Sequence, residues 1–288
     1  MATAAAAIPT GTRGRNPRVL PGFTLALGCT LIYLAVVVLL PLAALGLKAA
    51  GMPFADFLGA IASPRAWATY RLTLGTAFLA TAFNAFFGLL LAWVLVRYDF
   101  PGRRLLDAVV DLPFALPTAV AGIALTALFA KNGWFGAPLD RLGIAVAYTP
   151  LGIMIAMAFT SLPFVVRTVQ PVLEDLDDEI EEAAHTLGAG DLAIFLRIIL
   201  PGIFPAFLAG CSLAFARCLG EYGAVIFIAG NRPMQTEITA LLTFIRLEEY
   251  DYPGAAALSV AILATAFVLL LVTNIIQARA LRYVEPRR

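Results

Sequence analysis

Charge is scarce in this sequence: Asp, Glu, Lys and Arg together make up 14% of its 288 residues, against about a quarter in a soluble domain. The chain is also 61% hydrophobic, with a mean hydropathy of +0.87. That leaves too little polar surface to face water, so lipid must supply much of its solvent. Histidine occurs once, at His185, and lysine twice, at Lys48 and Lys131. Neither lysine stands in GxxxxGK followed by Ser or Thr, so there is no phosphate-binding P-loop. Cys29, Cys211 and Cys218 all lie in apolar runs and form no CxxC pair. Cys211 and Cys218 are two helical turns apart, about 10 Å, beyond disulfide reach. All three are expected to be small buried hydrophobes, and no metal site is expected. No nucleophile–base–orienter set is present either. Catalysis within this chain is therefore not expected.

Long apolar runs are present instead. Six stretches reach the roughly 20 residues of a membrane span: Phe23–Leu47, Leu72–Val96, Leu112–Ala130, Gly143–Val166, Ile203–Ala229 and Gly254–Ile276. They are continuous rather than alternating, which excludes a β-barrel. The expected fold is an all-α integral membrane protein with six transmembrane helices. The third run carries Pro113 and Pro117, where a kink is expected. Phe23–Leu47 is uncharged and longer than the ~7–15 residue core of a cleavable signal, so it reads as a retained helix behind a tail over residues 1–22. The connection from Gly46 to Tyr70, with Phe54, Phe57, Trp67 and Tyr70, is expected to include interfacial helix.

Orientation follows from basic residues. With the N-terminus inside, cytoplasmic segments hold twelve of them: Arg13, Arg15, Arg18, Arg97, Arg103, Arg104, Arg167, Arg197, Arg279, Arg282, Arg287 and Arg288. The outer segments hold seven: Lys48, Arg65, Arg71, Lys131, Arg141, Arg232 and Arg246. Both termini are expected in the cytoplasm.

Between the fourth and fifth runs lies QPVLEDLDDEIEEAAHTLGAGDLAIFLRIILP, Gln170 to Pro201. Asp175 or Asp177 can cap a helix whose first turns carry the acids. Gly188 supplies a left-handed stop. Asp191 can cap a second, apolar segment over Leu192–Leu200, which Pro201 is expected to end. A solvated acidic face accounts for the charges. It does not account for the small pair Ala183–Ala184 beside Glu182, which suits docking into a groove of another protein.

Glu182-Ala183-Ala184, then Gly188, then Ile198, Leu200 and Pro201 reproduce a spacing: EAA, three residues, G, nine residues, I, one residue, LP. This resembles the EAA loop of prokaryotic ABC-importer permeases, here over 174–201 within a permease core at 66–278. The resemblance implies the type I importer permease fold and a coupling helix seated in a cleft of a cytoplasmic ATPase. Glu182, Ala183 and Gly188 would be the contact and turn residues, with Leu200 and Pro201 anchoring the next helix. ATP and Mg would belong to that partner, and no cofactor or nucleic acid to this chain. His185 would be a helix residue near the contact.

VLPGFTLALG (Val19–Gly28), YDFPGRRLLDA (Tyr98–Ala108), DLPFALPTAVAG (Asp111–Gly122), SLPFVVRTVQPVLE (Ser161–Glu174) and GEYGAVIFIAGN (Gly220–Asn231) resemble the sulfate/thiosulfate ABC permeases of the CysT (CysU) type. That implies a homologous second permease, two ATPase copies, and a periplasmic sulfate- or thiosulfate-binding protein, in the bacterial inner membrane. Molybdate permeases share the loop, so molybdate or another oxyanion is the alternative cargo. An ion-coupled secondary transporter would need mid-membrane carboxylates and inverted repeats; Glu221 is the sole candidate carboxylate and no repeat is evident. Arg217 and Glu221 are the charged residues well inside a span. Spaced i,i+4, they can pair on one helical face, either as a closed structural pair or as a gate on an anion pathway. Asn84 reads as an interhelical hydrogen bond.

Overall fold

The computed structural model describes residues 22–284. Of the expected tail, residues 1–21 with Arg13, Arg15 and Arg18 lie outside the described residues, as do Arg287 and Arg288. Among the described residues all regular structure is helical. Five helices are long and apolar enough to cross a membrane. Two units make up the chain, Met1–Leu47 and Lys48–Arg288.

The first unit's helix belongs to α1, Phe23–Ala50, close to the expected span. Cys29 is exposed on it, against the expectation of burial. Residues Ala35–Leu39 form a π turn, and Pro41 follows two residues later. Proline has no N–H for the carbonyl four residues back, and its ring clashes with it. A wider turn moves that carbonyl aside. Phe195–Ile199 repeats the device ahead of Pro201. Pro201 therefore does not end a helix as expected; Asp191–Leu219 runs through it as a single span.

The second unit opens with α2, Phe54–Ile61, the helix expected in that connection. Next comes α3, Pro64–Arg97. Ser63 caps it by accepting from Ala66 N at 3.2 Å, with Pro64 at the first position. Its 34 residues extend about 51 Å, beyond the ~30 Å hydrocarbon layer, which is why it bears an arginine near each end. Then follow α4 (Arg103–Val110), α5 (Leu112–Ala115), α6 (Thr118–Phe129), α7 (Gly136–Arg141), α8 (Pro150–Glu174), α9 (Asp178–Thr186), α10 (Asp191–Leu219), α11 (Gly223–Ile228), α12 (Thr239–Glu248) and α13 (Tyr252–Val284).

The central element is α8, the most buried of the long helices. It packs on α3, α10, α11, α6 and α5, and it offers Gly152, Ala156, Ala158 and Ser161 as buried small residues. Without a hydrophobic drive between helices in lipid, such residues allow the close approach that dispersion requires. One apolar cluster, including Ile153, Met157, Val225 and Ile228, fills the middle. Another, including Leu95, Val169, Leu173, Ile194 and Ile199, fills the end that carries α9.

Three expected spans change. Leu112–Ala130 is not one kinked helix: Leu116 is extended (φ −86°, ψ 134°) because proline at 117 disfavours helical geometry just before it. The remaining piece, α6, has 12 residues, about 18 Å, too short to span alone. Helix α8 begins at Pro150 rather than Gly143, after Tyr148 takes φ 65°, and it continues to Glu174. The run Ile203–Ala229 breaks at Gly220, so α10 ends at Leu219 and α11 is separate.

At the end of α3 remote from α9, Arg65 grips Glu237 with two hydrogen bonds, Nε to Oε2 at 2.9 Å and Nη2 to Oε1 at 2.6 Å. Beside it, Thr73 Oγ1 accepts from Thr239 N at 3.0 Å. These contacts tie α3 to the start of α12.

Candidate coupling loop and membrane-embedded ion pair

Of the two candidate caps, Asp177 serves: its Oδ1 accepts from Glu179 N at 3.0 Å. At the other end Gly188 takes φ +85°. Its N–H donates to His185 O at 2.9 Å, and Ala189 N donates to Ala184 O at 3.0 Å. That pair of bonds is a Schellman stop, whose left-handed residue glycine adopts without steric cost. Gly190 is the cap residue of α10, while the expected cap, Asp191, sits in the first turn without a capping bond. His185 Nε2 faces Asp191 Oδ1 across the turn at 3.8 Å.

The helical period separates the EAA residues. Glu182 and Ala183 are exposed, whereas Ala184 is half-buried against the Leu173–Ile194 cluster. The two alanines therefore do not form one smooth patch. The outward stripe is Ile180, Ala183 and Leu187, and Leu187 is 88% exposed. Ile198 and Leu200 pack into the same cluster as Ala184, and Pro201 is exposed.

Two ionic contacts at this end were not read from the sequence. Arg97, at the end of α3, pairs with Glu181 on the inner side of α9. Arg167 of α8 holds α4 and its end: Nε and Nη2 donate to Asp111 at 2.8 and 2.7 Å, and Nη1 donates to Asp107 Oδ1 at 2.6 Å. Both segments were visible as SLPFVVRTVQPVLE and DLPFALPTAVAG. The pairing spans 56 and 60 residues, and no local pattern announces a contact at that separation.

Arg217 and Glu221 do meet, with Nη1 2.7 Å from Oε2, a distance for an ion pair without the alignment of a hydrogen bond. They do not share a helix. Arg217 is in the last turn of α10, and Glu221 lies beyond it in the Gly220 break. Glu221 is 1% exposed, and its Oε1 caps α11 by accepting from Ala224 N at 2.9 Å. One carboxylate thus closes the chain break and neutralises an arginine whose side chain remains 31% exposed.

Next to the pair, Cys218 is buried and its Sγ lies 3.2 Å from Ser161 Oγ. Asn84 Nδ2 donates to Ser161 Oγ and to Ala158 O, both at 2.8 Å. The interhelical role expected of Asn84 is what the structure contains, linking α3 to α8 and through Cys218 to α10. Helix α11 lies against α6, where a Cβ on Gly122 would sit 2.4 Å from Ala224 O. Gly122→Val is therefore expected to lower stability by at least about 3 kcal/mol, the upper range for overpacking, because backbone rather than a mobile side chain must yield. Unfolding of the detergent-solubilised protein would measure it, and wild-type stability would refute that close approach.

A family model described as binding-protein-dependent transport system inner membrane component matches residues 84–287. The chain belongs to this family. The match covers the candidate coupling loop, the Arg217–Glu221 pair and most of the helices around them. This inner-membrane permease is 55% identical over 262 residues to the sulfate transport system permease proteins CysT of Salmonella typhimurium and Escherichia coli, covering 91% of this chain and 95% of each relative. The corresponding protein of Synechocystis sp. is 46% identical, over 88% of this chain and 89% of the relative. Among solved structures, a bacterial ABC transporter involved in alginate import superposes with a TM-score of 0.75 at 17% identity, covering 89% of this chain and 94% of that one. A methionine ABC transporter in inward-facing conformations gives 0.58 at 14% identity, over 76% and 98%. These likenesses establish the importer-permease fold. Family membership also sets aside the ion-coupled secondary transporter.

Proposed function

We propose that this permease imports sulfate, and with it thiosulfate, from periplasm to cytoplasm by alternating access. The observation that carries the substrate is the 55% identity, over 91% of the chain, to two sulfate transport permeases. The mechanical part rests on α9, an exposed capped helix with a Schellman stop and an outward apolar stripe. Glu182 and Ala183 make the contact with a cytoplasmic ATPase, Gly188 sets the turn, and Ile198, Leu200 and Pro201 anchor the following helix. An ATPase dimer binds ATP and Mg, and its closure drives the coupling helices together. A second, homologous permease completes the pathway, and a periplasmic binding protein delivers the anion.

The orientation puts both termini and α9 in the cytoplasm. Its support is the count of basic residues by segment: Arg97, Arg103, Arg104, Arg167 and Arg197 fall in the segments on the α9 side, and Arg97 pairs directly with Glu181 of α9, in keeping with the positive-inside rule. Arg217 serves the anion at a gate that opens when it parts from Glu221. Charge in a span is costly and marks pathways by default, and Glu221 alone would repel sulfate.

The test is ATP hydrolysis by the complex, co-expressed with its candidate ATPase and second permease and reconstituted with sulfate-loaded binding protein. Sulfate should stimulate turnover; a response to molybdate with none to sulfate would overturn the substrate. Glu182→Lys should abolish stimulation or ATPase co-purification, because truncating or reversing a buried interfacial charge costs about 2–5 kcal/mol. Unchanged coupling in that variant would remove α9 from the ATPase contact.

A further inference from the structure

Helix α3 is held at three levels: by Arg65–Glu237 at one end, by Asn84–Ser161 in the middle, and by Arg97–Glu181 at the other end. The last of these is on the wrong side of α9 to touch an ATPase. Glu181 faces the bundle, whereas Glu182 and Ala183 face out. Side-chain exposures of 19% for Arg97 and 21% for Glu181 keep the pair out of bulk solvent, so screening does not erase it as it does on open surface. Arg97 is also stacked 5.4 Å from the Trp93 ring centroid. That ring meets Phe195 of α10 edge-on at 5.3 Å. On the same inner side of α9, Ala184 sits in the apolar cluster that includes Leu173 and Ile194.

We propose that Arg97 and Glu181 are the link through which displacement of α9 is passed to α3, making them positioning residues for transport. The inference rests on the proposed coupling role of α9. From Arg97, α3 runs thirteen residues to Asn84, about 20 Å. Asn84 is bonded to Ser161 of α8, and Ser161 to Cys218, the neighbour of Arg217. A rigid helix with a charged tether at one end and a polar clamp at membrane depth moves both together. The clamp delivers the motion to the turn that holds the Arg217–Glu221 pair. A contiguous contact path alone is associational, so the decisive measurement is energetic coupling between the two side chains.

The reconstituted complex is assayed for sulfate uptake per ATP hydrolysed in wild type, Arg97→Glu, Glu181→Arg and the double charge swap. Each single variant should lower the ratio about 10-fold, and the double swap should return it to within about 2-fold of wild type. Arg97→Lys, which keeps the charge, should stay near wild type. A ratio unchanged in both single variants, or a double swap no better than the worse single, overturns the link. If a single variant fails to assemble, recovery in the double swap supports the pair and continued failure overturns it. A wild-type complex indifferent to sulfate but responsive to molybdate would sink the substrate reading alone, since the ratio is then read with molybdate.

Discussion

Replacing Arg65 by alanine is expected to destabilise the folded permease by about 3–5 kcal/mol, the cost of leaving a buried charge without its partner. Glu237 is the reason: its side chain is fully buried and both carboxylate oxygens are taken by Arg65. Removing the guanidinium leaves a carboxylate with neither water nor partner. Arg65→Lys should recover only part of the loss, because an ammonium cannot make the two-pronged contact. The double change Arg65→Met with Glu237→Leu should come close to wild type, since paired charges are often replaceable by apolar groups of similar volume. Unfolding in detergent of all three variants checks the set. An Arg65→Ala protein as stable as wild type would show that Arg65 does not stabilise Glu237.

What the sequence made legible was local. Asp177 as a cap and Gly188 as a left-handed stop follow from side-chain chemistry and backbone sterics within a few residues, and the structure has both. The apolar runs announced the long helices, because a helix in lipid must be apolar over its whole length. Helix ends were harder. Arg217 and Glu221 are the two charges within Ile203–Ala229 and the residues on either side are apolar, so hydropathy averaged over the run does not separate α10 from α11. The break becomes visible only with Glu221 reaching back to Arg217 and forward to Ala224 N. Pro201 looked like a terminator because proline usually is one, yet a π turn absorbs it. Long-range ion pairs were out of reach altogether: Arg65 and Glu237 are 172 residues apart, and each alone resembles an ordinary loop charge. The EAA spacing pointed to the family, but that Ala184 faces inward and Ala183 outward depends on how α9 is rotated against the bundle, which spacing alone does not set.

The geometry of Glu221 also changes how Arg217 must be tested. Arg217→Gln removes the ionic partner, among the described residues, of a carboxylate that is 1% exposed, so it should lower stability as well as transport and cannot separate the two. Glu221→Gln keeps an oxygen to accept from Ala224 N and frees the arginine. The double change Arg217→Gln with Glu221→Gln then discriminates. If the pair is a structural clasp, the double variant has no stranded charge and should regain both assembly and sulfate uptake. If Arg217 serves the anion at a gate, assembly should return while uptake stays down by 10²-fold or more, about 2.7 kcal/mol or above, the scale of losing a charged hydrogen-bonding partner. Uptake by the reconstituted complex, normalised to the amount of assembled transporter, distinguishes the two. Recovery of uptake in the double variant would withdraw Arg217 from the pathway and leave Glu221 with one duty, closing the chain break between α10 and α11.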